Sequence, residues 1–131
     1  LDIKIEKTNF LAKINIDGKT SLIGSNGRLS DIKFSNKELP FIFGKPEINE
    51  FIKFTNVIKQ SKFSFNQIKN LYFFPSKRWD LKLKNGLLIK LPKENIPKNM
   101  NIIFDIFKNN NFEVSKIIDA RIPGSIITND R

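Results

Sequence analysis

Four positions carry an acid two residues before a lysine: Asp2, Asp17, Asp31 and Asp80. On a strand this spacing puts carboxylate and ammonium on one face, which resembles part of a metal-dependent nuclease site. Built around Asp80 and Lys82, such a site needs a further carboxylate, so Asp31 or Asp119 would have to fold beside Asp80. Thirteen acids and 19 lysines in 131 residues give about 2 such matches by chance (13 × 19/131), and strand alternation raises that. An exposed, charged sheet face explains the pattern better than chemistry does. The remaining acids are scattered, with nothing to pair two of them across a cleft for acid–base hydrolysis. Histidine and cysteine are both absent. Their absence excludes Ser-His-Asp and Cys nucleophile systems, thiolate or imidazole zinc sites, and disulfides. Gly24 and Gly27 lack the following Gly or Gly-Lys of a phosphate loop. These residues call for no enzyme, no cofactor, no metal and no small-molecule substrate.

A net charge of +10, from 23 basic and 13 acidic residues, points first to an anionic partner. Aromatic residues interleaved with lysine could form a stacking surface, so the alternative function is a basic module for single-stranded nucleic acid. Lysine, however, supplies 19 of the 23 cations and arginine four. Arginine is the residue suited to bidentate contacts with bases and phosphates. Ile, Asn and Lys together fill 56 of the 131 positions, a bias that fits AT-rich coding rather than selection for charge. Thirteen of the 15 aromatics are Phe. Most of them, and Trp79, fall on apolar stripes and read as core.

These side chains need a scaffold, and 131 residues at 40% hydrophobic can bury one ordinary core. No apolar run reaches the ~18–20 residues of a membrane helix. The chain begins at Leu1 and reads as a piece of a longer protein. Residues 2–7 alternate as a strand, with Ile3 and Ile5 on one face. Residues 10–16 and 19–23 form a hairpin across Asp17-Gly18. Residues 28–38 are mixed and polar, a loop with one short strand. The apolar run 39–44 contains Pro40, which argues against a central strand and for a buried extended loop.

Pro46 and Glu47 open a helical pattern in which Ile48, Phe51, Ile52, Thr55 and Ile58 make one stripe. A second helix runs from about Pro97 to Lys108, with Met100, Ile103, Phe104 and Phe107 on one face. Core packing accounts for both stripes. Between them, residues 64–74 form a strand, Phe74 to Lys77 a turn, and Trp79 to Leu91 a hairpin. A two-residue Asn85-Gly86 loop would set Lys84 against Leu87. A three-residue loop pairs Leu83 with Leu87, Leu81 with Ile89 and Trp79 with Leu91, and sets Asp80 opposite Lys90. It gathers every large apolar side chain except Leu88 on one face, so it is the expected register, with Gly86 as the bulge glycine. Residues 114–122 and 125–128 are two further strands, bent apart at Pro123-Gly124. The order of elements predicts an α+β fold: a mainly antiparallel β-sheet with two helices packed on it. The final strand, apolar and β-branched at Ile126-Ile127-Thr128, would lie at a sheet edge, where another chain could extend it.

Several segments together resemble the bacterial cell-division family FtsQ (DivIB in Gram-positive bacteria). Leu22 to Leu29 is similar to its "LID-x-x-GR-V" segment, and Leu39 to Gly44 to its "LP-x-x-x-G" segment. Arg78 to Gly86 resembles the "RRWDLRL-x-NG" hairpin of alphaproteobacterial members, and Ile118 to Pro123 their "IDLRLP" strand. The order and spacing agree over nearly the whole chain. The resemblance implies a single-pass inner-membrane protein with a POTRA domain and a C-terminal β domain, this part lying in the periplasm at the division septum. Residues 1–24 would then be the last strands of a truncated POTRA domain, and 25–131 the FtsQ-type β domain. It implies a non-catalytic divisome scaffold that recruits FtsB/FtsL-type proteins in septum formation by strand addition at its C-terminal edge. The partner-binding residues carried over are Arg121, Ile122, Ser125, Ile126, Ile127 and Thr128, with Arg121 as charge partner for an acidic residue. Ala120 stands where the family usually has Leu, and Gly124-Ser125 where it has a more polar pair.

Overall fold

The computed structural model describes residues 9–35, 37–109, 116–121 and 127–130. The strand expected over residues 2–7 lies outside them. Nine strands and two α-helices are described: β1 (Phe10–Ile16), β2 (Lys19–Gly24), β3 (Leu29–Asp31), β4 (Phe41–Phe43), α1 (Ile48–Lys59), β5 (Ile68–Phe73), β6 (Trp79–Leu83), β7 (Leu88–Lys90), α2 (Ile96–Asn109), β8 (Lys116–Asp119) and β9 (Ile127–Asp130). They form one sheet in the order β3-β2-β1-β4-β5-β6-β7-β8-β9. The fold is α+β, and most neighbouring strands run antiparallel. Three pairings are parallel: β1 with β4, β4 with β5, and β7 with β8. Parallel neighbours need a crossover, and α1 and α2 supply two of them.

Both helices lie on one face of the sheet. Along β1, β4, β5, β6, β7 and β8 the register aligns Ile14, Ile42, Leu71, Leu81, Ile89 and Ile118. This row packs in one core with Phe51, Phe54 and Ile58 of α1 and Met100 and Ile103 of α2. Trp79 is buried there as well, stacked on Phe54 at 4.5 Å. Phe54 joins the stripe read from the sequence, whereas Ile48 and Ile52 stay half-buried.

The hairpin takes the register argued from its apolar pattern. Asp80 pairs with Lys90 and Leu81 with Ile89. Leu83 N–H donates to Leu87 O at 2.8 Å, and Gly86 has φ +94°. The turn at Phe74 to Lys77 forms, with Lys77 N–H donating to Phe74 O.

Residues 41–43 are not a loop but β4, a central strand between β1 and β5. Pro40 precedes the ladder, so its missing N–H costs no bond there, and its carbonyl accepts from Lys13 N–H at 2.9 Å. Gly44 ends the strand at φ +103°. In addition, Phe41, Phe43 and Tyr72 point to the face away from the helices, because alternation sends them opposite to Ile42 and Leu71. Phe43 and Tyr72 stack there, with centroids 5.1 Å apart.

The expected division at residue 24 falls between β2 and β3 of this continuous sheet. Ala12, Ile14 and Ile23 share the core with Ile42 and Phe51.

Candidate docking edge and its arginine groove

The two ends of the sheet differ. β3 has three residues and runs straight into a single 3₁₀ turn at Ile32–Phe34. Asp31 caps that turn, its Oδ1 accepting from Lys33 N–H at 3.0 Å. A strand that stops in a helical turn has little ladder to offer. β9 has four residues and pairs with β8. Its other flank meets no strand among the described residues. Backbone N–H and C=O groups on such a flank can be extended by another chain.

The singled-out residues fall as follows. Ile127 and Thr128 begin β9, opposite Asp119 and Ile118. β9 reaches Asp130, two residues beyond the expected end of the strand. Arg121 lies just after β8, at the end of the ladder where β9 enters. Ile122, Ser125 and Ile126 lie outside the described residues.

Arg121 also borders a groove of about 720 Å³, lined by Arg78, Lys93, Glu94, Lys98 and Ile102 among others. Arg78 comes from the start of β6, Lys93 and Glu94 from the loop after β7, and Lys98 and Ile102 from α2. Cations outnumber the acid on these walls. In the sequence Arg78 stands out only within the hairpin motif. A signal for pairing it with Arg121 was present: Arg78-x-Asp80 and Asp119-x-Arg121 carry the same ion pair at strand spacing.

Both arginines are tied to those carboxylates. Arg78 Nη1 donates to Asp80 Oδ1 and also reaches Leu91 O at 3.4 Å. Its guanidinium lies 4.6 Å from the centre of the Phe74 ring. Asp80 was expected on an exposed face; it is only 5% exposed. Burial pushes its carboxyl above the ordinary value, against the hydrogen bond and charge of Arg78 and the charges of Lys90 and Arg121. Asp119 goes the other way. Its carboxyl is lowered to about 2, chiefly by the hydrogen bond from the Arg121 side chain.

These positions answer the nuclease reading. Asp80, Lys90 and Asp119 sit side by side on β6, β7 and β8, so Lys90 separates the two acids by two strand spacings, about 10 Å. Asp31 lies at the far edge. Among the described residues no three acids come together as a metal site. The lysines form no single stripe: Lys13 and Lys82 belong to the open face, Lys53 and Lys59 to α1 on the other side.

Residues 12–121 match the profile of the family described as "Cell division protein FtsQ/DivIB, C-terminal". The chain belongs to the FtsQ/DivIB family. FtsQ/DivIB proteins are non-catalytic proteins of cell division. The matched span takes in β1 from Ala12 onward, together with β2, and stops at Arg121, before β9. This FtsQ/DivIB domain is similar in fold to the major extracytoplasmic domain of the trans isomer of the cell-division protein DivIB from Geobacillus stearothermophilus. The TM-score is 0.53 at 12% identity, covering 80% of this chain and 98% of that one. Comparison with curated proteins gave no match. No helix described in this FtsQ/DivIB domain is long and apolar enough to cross a membrane.

Proposed function

We propose that this domain is a scaffold of the division machinery that recruits FtsB/FtsL-type membrane-anchored proteins by accepting one of their strands at β9. The observation that carries the reading is the position of β9, terminal in the sheet and, among the described residues, paired on one side only. Main-chain hydrogen bonds would give affinity, and alternate side chains along residues 125–128 specificity. Arg121, at the entry to β9 and 46% exposed, would pair with an acid of the incoming strand. The cationic groove beside it extends that preference for acidic residues. In the proposed setting the protein is a single-pass inner-membrane protein and this domain faces the periplasm at the septum.

The test is deletion of residues 125–131. The shortened domain should stay folded, because the core is built from β1 to β8 and both helices, and it should lose binding to an FtsB-like peptide. Retained binding refutes the edge reading. Binding of single-stranded DNA that weakens steeply between two salt concentrations would favour the nucleic-acid alternative.

A further inference from the structure

Arg121 does not hang free at the edge. Its Nε donates to Asp119 Oδ1 at 2.9 Å and its Nη2 to Oδ2 at 2.6 Å. Its backbone N–H donates to the same Oδ1 at 3.0 Å. This is fork-to-fork geometry, the arrangement that fixes a guanidinium in both position and plane. Partner and arginine are two residues apart, so little chain has to be ordered to join them. The carboxylate is the more covered member, 17% exposed against 46% for Arg121, so the acid lies beneath and the cation faces outward. Lys90, paired with Asp119 in register, adds a second cation to the acid, and Asp80 follows beyond Lys90. The depressed carboxyl of Asp119 agrees with this grip.

We propose that Asp119 is a positioning residue, which holds the Arg121 guanidinium at the mouth of the groove so that an acidic partner strand meets a cation already ordered. The proposal rests on the reading of β9 as a docking edge. An arginine ordered beforehand has no rotamer freedom left to lose when the partner arrives. A purely structural role for Asp119, ending β8 with a side-chain-to-backbone turn, makes a different chemical demand. Asp119→Asn retains an oxygen to accept from the Arg121 N–H, so it keeps the turn. It replaces the second oxygen with an amide nitrogen, so it breaks the two-point grip. Arg121→Lys breaks the grip from the other side while keeping the charge.

The experiment combines NMR relaxation at Arg121 Nε with titration by a capped peptide of alternating valine and glutamate. In the wild type, Nε should be as ordered as the surrounding backbone. Asp119→Asn should lower its order towards that of the exposed Arg28 and weaken the peptide about two- to tenfold, the cost of immobilising one long side chain. Arg121→Lys should weaken it similarly, and Asp119→Asn should add nothing in that background. Undiminished Nε order in Asp119→Asn overturns the proposal. Tighter peptide binding by that variant also overturns it, since removing a negative charge near the groove would do that by simple attraction. A wild-type domain that ignores the peptide refutes the docking reading instead, and Nε relaxation still decides whether Asp119 holds Arg121.

Discussion

Replacing Arg78 with methionine strands a carboxylate. Asp80 is 5% exposed, and the one side chain that hydrogen-bonds to it among the described residues is Arg78. Removing one partner of a buried ion pair costs about 3–5 kcal/mol, because the other charge stays behind without water. Lys90 still faces Asp80 across the hairpin and replaces part of the lost attraction, so about 2–3 kcal/mol is expected. That moves a urea midpoint by about 1 M. Asp80 has a carboxyl already raised by burial. A raised carboxyl favours the folded state in its protonated form: the benefit is full below the ordinary value and is lost as pH rises through the folded-state value. Without Arg78 that value rises further, so the deficit should be largest at pH 7 and shrink towards pH 4. Asp80→Asn in the Arg78→Met background should recover about half of it at pH 7. The assay is urea unfolding at both pH values, followed by fluorescence of Trp79, the chain's one tryptophan, which is stacked on Phe54. A deficit under about 0.5 kcal/mol, within what surface substitutions cause, refutes the reasoning. So does a deficit that is the same at both pH values.

Two further outcomes follow from local geometry. At Gly44, φ is +103° and an added Cβ would stand 2.3 Å from Phe73 O, a backbone atom of the neighbouring strand. Backbone strain of about 1–2 kcal/mol plus the clash should make Gly44→Ala cost at least about 3 kcal/mol, lowering Tm by about 8 °C or more; a melting curve matching the wild type would contradict it. Asp119, lowered from 3.8 to about 2 in the fold, contributes stability above its ordinary value that is lost as pH falls through the folded one. The stability gap between wild type and Asp119→Asn should therefore be present at pH 5 and close by about pH 2, and a gap constant over that range would count against the ion pair.

Much of the fold could be read along the chain where the deciding interactions are local. The hairpin from Trp79 to Leu91 is the clearest case: a one-residue slip inverts its faces, so the apolar alternation selects one register, and Asp80 meets Lys90 as that register requires. Both helices announce themselves by stripes, though Phe54 and not Ile48 completes the buried face of α1. Residues 41–43 misled because proline was weighed as a residue inside a strand, whereas Pro40 stands just before one. Of the proposed docking edge, Ile127 and Thr128 were legible as part of an apolar, β-branched final strand, and Arg121 through family resemblance. Arg78 and Lys98 were not reached as groove residues, because nothing local ties the start of β6 to α2.

Alternation, turn residues and helical stripes act over a few positions, so the chain by itself determined the hairpins, both helices and most of the side chains these turn inward. Strand order is another matter. It is set when α1 and α2 carry the chain across the sheet and bury their stripes against residues far away in sequence, as Phe51 and Met100 do against the row from Ile14 to Ile118. Only that joint burial decides that β4 is central, that β3 and β9 are the two ends, and that Arg78 and Arg121 face one groove.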